Sequence, residues 1–135
     1  MLNLEPMVTA VNFIESRLQE NIKVADIADA VSYSLFHFCR TFNKIVHHSP
    51  YDYLIRRRLS ESARLLLETD QRITDIAFTF QFNSLETYSR AFKRLFGQLP
   101  REWKKGNIHY ACRMMPRLTP AHLELRNRSA VSYTH

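Results

Sequence analysis

Glycine is almost missing from this chain: Gly97 and Gly106 are the only two in 135 residues. That scarcity argues against a β-rich fold, whose tight turns favour glycine, and against a glycine-rich loop built to cradle phosphate. Cysteine is as rare. Cys39 and Cys112 stand far apart with no CxxC spacing, so they read as free thiols of a reducing cytoplasm rather than a disulfide or zinc site. No apolar run approaches membrane-spanning length, and the N-terminus has no basic region followed by an apolar stretch. The expectation is a soluble, cytoplasmic protein with no membrane partner. Catalytic signatures are absent too: there is no nucleophile elbow, no HExxH and no serine–histidine–acid order. His47-His48 adjoins no acidic or cysteine residue that would complete a metal site. Neither an enzyme nor a metal or cofactor carrier is expected.

At this length there is room for one domain or two small subdomains, each with a modest core. The formal net charge of +6 is unevenly spread. Residues 1–50 hold four Lys/Arg against five Asp/Glu, residues 51–105 eleven against seven, and residues 106–135 four against one. A basic balance of this size does not by itself establish a nucleic-acid partner.

What the chain does have is a repeat. Residues 24–50 and 73–100 carry the same pattern at an offset of about fifty. Asp26-Ile27-Ala28 recurs as Asp75-Ile76-Ala77; Arg40, Phe42 and Pro50 recur as Arg90, Phe92 and Pro100, after the second copy gains one residue. Helical spacing is clear in both. Leu35, Phe38, Phe42 and Ile45 fall on one face of a helix over residues 34–46, and Leu85, Tyr88, Phe92 and Leu95 on its counterpart, which begins at Asn83-Ser84. Shorter helices over 24–31 and 73–80 precede them, joined by the turns Ser32-Tyr33 and Gln81-Phe82. A helix over 8–20 opens the chain with Val11, Ile14 and Leu18 on one face. A long helix over 51–68, carrying Leu54, Leu59, Ala63, Leu66 and Leu67, links the copies, and residues 101–105 add a last short turn. From Gly106 onward the character changes to short alternating runs around Leu123–Leu125 and Val131–Tyr133, which predict isolated strands without a core of their own. The fold class is all-α, with an irregular or short-strand tail.

Helix, short turn, helix is the arrangement that places its second helix in the major groove of double-stranded DNA. Ala28 and Ala77 supply the small residue needed between the paired helices. The outer face of the first reading helix carries Phe36, Cys39, Arg40, Asn43 and Lys44; that of the second carries Glu86, Ser89, Arg90, Lys93 and Arg94. An arginine there can pair bidentately with guanine, worth roughly 1–3 kcal/mol of discrimination. Phe36 either meets thymine methyls or packs at the edge of the core. Glu86 either accepts from cytosine or completes a capping box with Asn83, and the capping role is preferred. Ser34, Asn83 and Ser84 can present helix N-termini to phosphates. In the run Arg56-Arg57-Arg58 the three side chains fan over most of a turn, so they cannot share one task; Arg58 is expected to pair structurally, with Arg56 or Arg57 solvated.

At these copies the chain resembles the AraC/XylS family of bacterial transcription regulators. The resemblance is carried by Ser34-x-x-His37-Phe38-x-Arg40-x-Phe42, Ser49-Pro50, Tyr53-Leu54, Arg58-Leu59, Ala63, Leu66-Leu67, Ile76-Ala77, Phe82, Phe92-Lys93, Phe96-Gly97 and Pro100. It covers residues 7–105 and implies seven helices in two helix-turn-helix subdomains, whose recognition helices enter adjacent major-groove segments. By position, Phe36, Cys39 and Arg40, then Leu85, Glu86, Ser89 and Arg90, match the family's base-reading residues; His37 belongs to the same DNA-facing set. A DNA-bound monomer that regulates transcription as an activator, with RNA polymerase as a further partner, is what the resemblance implies. The chain departs from the family at Ser32, Gln81 and His48, where glycine is usual, at Lys23, where a capping Ser or Thr is common, and at Leu85 and Glu86. The tail from Thr119 looks like the opening of a gyrase-inhibitor-like effector-binding domain, stopping after one or two strands. The competing reading is a protein-interaction module, or a truncated regulator without productive DNA binding.

Overall fold

Among the described residues, 3–108 and 114–125, the computed structural model places seven helices, a further short helical segment and no strand. The seven are α1 (Glu5–Glu15), α2 (Val24–Ala30), α3 (Leu35–Val46), α4 (Pro50–Glu68), α5 (Ile73–Thr79), α6 (Leu85–Phe96) and α7 (Pro100–Lys104). The short segment follows at residues 120–125. The all-α class and the order of the helices agree with the sequence pattern. No helix among these residues is long and apolar enough to cross a membrane.

The described residues divide into two compact units: one has residues 3–17, 22–54 and 117–125, the other residues 18–21, 55–108 and 114–116. In the first, Met7, Ala10, Val11 and Ile14 of α1, Ile27 and Ala28 of α2, Phe38, Phe42, Ile45 and Val46 of α3, and Tyr53 and Leu54 of α4 are all buried. At seven residues α2 is too short to persist alone, so packing of Ile27 and Ala28 holds it. In the second unit, Leu59, Ala63 and Leu66 of α4 and Ile76 and Ala77 of α5 are buried, together with the ring cluster Tyr88, Phe92, Phe96 and Trp103. Its polar groups are matched rather than omitted. The Trp103 indole donates to the Ala63 carbonyl at 2.9 Å, and the Tyr88 hydroxyl to Ser62 Oγ at 2.8 Å. Burial pushes the Tyr88 phenol well above its ordinary pKa, outweighing that bond.

Several local expectations change. α1 starts three residues early, because Pro6 suits the first turn of a helix, and ends at Glu15 rather than 20. Leu18 is still buried, but from a loop, whose carbonyls at Leu18 and Glu20 accept from the Arg58 guanidinium at 2.9 and 2.6 Å. Arg58 thus has the structural role expected of it. Arg57 is buried as well, donating to the Met115 carbonyl at 2.7 Å and to Glu61 at 3.0 Å, so it is not the solvated member of the run; Arg56 is half-buried. Leu67 belongs to the exposed side of α4, not its core side. His48 does have an acidic neighbour, one turn on: its Nδ1 lies 2.8 Å from Asp52.

The tail differs most. Leu123 to Leu125 are helical, not extended, and Leu118 and Leu123 are buried in the first unit. There the Leu118 amide donates to the Tyr53 hydroxyl at 3.2 Å and Arg117 to Asn12 Oδ1 at 2.8 Å. Alternation over three residues carries too little signal to separate a strand from a helical turn that buries one leucine. The strand expected at 131–133 and the thiol of Cys112 lie outside the described residues.

Candidate nucleic-acid interface

Each reading helix is set by the turn before it. After α2 the Tyr33 amide donates to the Ala28 carbonyl at 3.0 Å and the Ser32 amide to Asp29 at 3.0 Å; after α5 the Phe82 amide donates to Ala77 at 3.0 Å and Gln81 to Phe78 at 3.1 Å. This is the Schellman pattern, which requires one left-handed residue just past the helix. Ser32 (φ 59°) and Gln81 (φ 71°) take that conformation, at the positions where the family resemblance sets glycine. A third left-handed residue is His47 (φ 65°), matching Gly97 (φ 76°); His48, the position expected to replace glycine, is not left-handed. The small alanine of each copy is therefore also the acceptor that closes the turn.

The reading helices then begin on matched serine caps. Ser34 Oγ accepts from the His37 amide and Ser84 Oγ from the Thr87 amide, both at 3.1 Å. Asn83 lies outside α6 and Ser84 caps it, so the Asn83–Glu86 capping box is not formed. Ser84 directly follows Asn83 and can supply the same oxygen, which the residue pattern alone could not separate. Glu86 turns the other way and accepts from Arg90 one turn later. Before α2, the Asp26 carboxylate accepts from the Lys23 amide at 2.8 Å, while the Lys23 ammonium has no acceptor to return.

On α3, Phe36, His37, Arg40, Asn43 and Lys44 are exposed and Cys39 is half-buried, while Phe38, Phe42 and Ile45 face inward. Phe36 is 75% exposed, which overturns the core-edge alternative for that ring. An open depression of about 280 Å³ runs between Phe36, His37, Arg40, Thr41 and Lys44; Thr41 was not among the expected site residues. Leu35, assigned to the core stripe, is half-exposed at the start of α3, as is Leu85 at the start of α6. A first-turn residue at the tip of a helix has little core beneath it, although helical spacing marks it as apolar. On α6, Glu86, Arg90, Lys93 and Arg94 are exposed and Ser89 is half-buried like its counterpart Cys39. Each helix thus presents a continuous solvent-facing strip with one arginine at its centre, the chemistry needed to meet base edges and phosphates.

Two helix-turn-helix units with arginine-centred outer faces define a DNA-reading protein. Residues 27–106 match the family described as a helix-turn-helix domain. The chain is 46% identical over 90 residues to the uncharacterized HTH-type transcriptional regulator YbfP of Bacillus subtilis (strain 168), a match covering 67% of this chain and 30% of that protein. It is 33% identical over 98 residues to the HTH-type transcriptional activator AarP of Providencia stuartii, covering 73% of each. Among solved structures, the DNA-binding domain of AdpA, a global transcriptional factor in complex with a target DNA, superposes with a TM-score of 0.70 at 26% identity, over 80% of this chain and 95% of that one. The chain belongs to the AraC/XylS family of helix-turn-helix transcription regulators.

Proposed function

We propose that this chain binds double-stranded DNA sequence-specifically as a monomer, α3 and α6 each reading its own short major-groove segment, and that it regulates transcription from there. The observation that carries this reading is the matched construction of α3 and α6: a left-handed turn, a serine cap, a buried aromatic face and an exposed face centred on Arg40 or Arg90. Because Phe36 and Cys39 in one correspond to Glu86 and Ser89 in the other, the two segments differ in sequence and no palindrome is needed within one chain. Base reading is assigned to Phe36, Cys39 and Arg40 on α3 and to Leu85, Glu86, Ser89 and Arg90 on α6. Ser34, His37, Asn43, Lys44, Asn83, Ser84 and Lys93 supply backbone contacts. Activation, the role in the name of the transcriptional activator AarP, is the regulatory mode proposed, with RNA polymerase as the proposed further partner and the cytoplasm as the place where a bacterial operator is met. Regulation then comes from occupancy, without catalysis.

Selection of bound sequences from a random duplex pool, followed by titration against salt, tests this. A reader that neutralises about six phosphates loses roughly a thousandfold in affinity between 50 and 200 mM salt. Equal affinity for every duplex together with a flat salt response would leave the protein-interaction reading in its place.

A further inference from the structure

The exposed face of α6 carries a carboxylate and a guanidinium one turn apart: Arg90 Nη2 donates to Glu86 Oε1, and the side chains are 73% and 71% exposed. The first copy has no such pair. Phe36 stands at the position of Glu86, and the first turn of α3 has no acidic residue, so no carboxylate stands one turn before Arg40. An acid on a face that meets phosphates opposes binding, and an exposed pair of this kind adds little stability. The capping role that would explain Glu86 structurally belongs to Ser84.

We propose that Glu86 is a specificity-determining positioning residue, which sets the Arg90 guanidinium for guanine and rejects acceptor-bearing bases at the neighbouring step. This rests on the DNA-reading function above. A guanidinium has five N–H donors in a rigid plane, so one bond to Glu86 leaves enough to meet O6 and N7 of guanine together. Fixing that long side chain beforehand reduces the ordering cost at the moment of binding. The carboxylate itself can only accept. It tolerates the cytosine amino group and repels the O4 of thymine and the O6 and N7 of guanine, and it lowers attraction to the backbone of every sequence alike. Discrimination then comes partly from repulsion.

The test uses the full chain, a duplex selected by the wild type and a scrambled duplex of equal length, with affinities read by fluorescence anisotropy. Glu86→Gln and Glu86→Ala are each expected to bind the scrambled duplex about threefold more tightly and to lower the selected-to-scrambled ratio about tenfold, the size of one base-edge contact. In an Arg90→Ala background, Glu86→Gln is expected to shift that ratio only about threefold, since the direct repulsion remains and the positioning of Arg90 is gone. Far-UV circular dichroism checks that α6 is retained, as the exposure of both side chains predicts. A wild-type ratio in both Glu86 variants, or an equal Glu86→Gln effect with and without Arg90, overturns the inference and leaves the DNA-reading function standing. A wild type that prefers no duplex overturns that function, and the inference with it.

Discussion

Arg58 crosses forty residues of sequence to donate through Nε to the carbonyl of Leu18 at 2.9 Å, and its Nη2 reaches the Glu20 carbonyl at 2.6 Å. One guanidinium on α4 therefore satisfies the two backbone acceptors exposed where the chain leaves α1. A buried arginine that meets two carbonyls at once works through its fork geometry. Replacing Arg58 by Leu is expected to cost about 2–3 kcal/mol, since two loop carbonyls lose charged donors. Urea unfolding measures this. Arg58→Lys should recover less than half of the loss, because one ammonium cannot cover both carbonyls in the same geometry; full recovery would show that charge alone matters.

The left-handed turn residues give a prediction of opposite sign. Ser32 holds φ at 59° without a side-chain hydrogen bond among the described residues, whereas Gln81 at φ 71° donates through Nε2 to the Gln19 carbonyl at 2.8 Å. A non-glycine residue in this region costs roughly 1–2 kcal/mol, partly offset by the greater freedom glycine loses on folding. Ser32→Gly is therefore expected to stabilise by about 0.5 kcal/mol, raising Tm by a few degrees. Gln81→Gly gives up its bond and should gain less or nothing. A thermal melt of the two variants side by side decides it.

Glu61 supplies a pH dependence. Its partial burial raises the carboxyl pKa, but hydrogen bonds and charges from Arg64 and Arg57 outweigh that and hold it below its usual 4.5. A carboxyl lowered in the folded state contributes stability that is fully present above the unfolded value and is lost as pH falls through the folded one. Glu61→Gln should thus be less stable than wild type at pH 7, and the gap should narrow as the pH falls below the ordinary 4.5 of the carboxyl. Denaturant midpoints at pH 7 and pH 3 check the sign; a gap that widens in acid would contradict it.

Leu123 is buried in the first unit although it lies beyond the repeat. Leu123→Ala is expected to cost about 2–3 kcal/mol by leaving a cavity against that core. If the residue were a loosely attached end, the loss would be under about 0.5 kcal/mol. Guanidinium unfolding distinguishes these, and the loss should appear without any change in DNA specificity.

On the reading faces, Arg40→Ala and Arg90→Ala should each relax preference at different base positions, by roughly tenfold or more, while leaving the other segment intact. Phe36→Ala should weaken a preference for thymine in the segment read by α3. Repeating the pool selection with each variant shows which columns of the motif change. A variant that retains full discrimination is not a base reader.

Much of this protein follows from spacing alone. Phe38, Phe42, Tyr88 and Phe92 are inward-facing because residues three and four apart share a helix face, and a helix has to bury that face whatever surrounds it. Asp26-Ile27-Ala28 and Asp75-Ile76-Ala77, with Ser32 and Gln81 after them, already encode two like turns. Local pattern is thus enough for the all-α class, the duplicated helix-turn-helix and the residues available for its outer faces. The tertiary structure decided what depends on partners distant in sequence or competing nearby: that Arg57 and Arg58 are buried on backbone carbonyls, that Ser84 caps α6 and leaves Glu86 to Arg90, and that Leu123 lies in a core rather than in a strand. Periodicity reports which side of a helix is apolar, but carbonyls left free by a loop and carboxylates one turn from a guanidinium acquire their roles only when folding fixes which group arrives first.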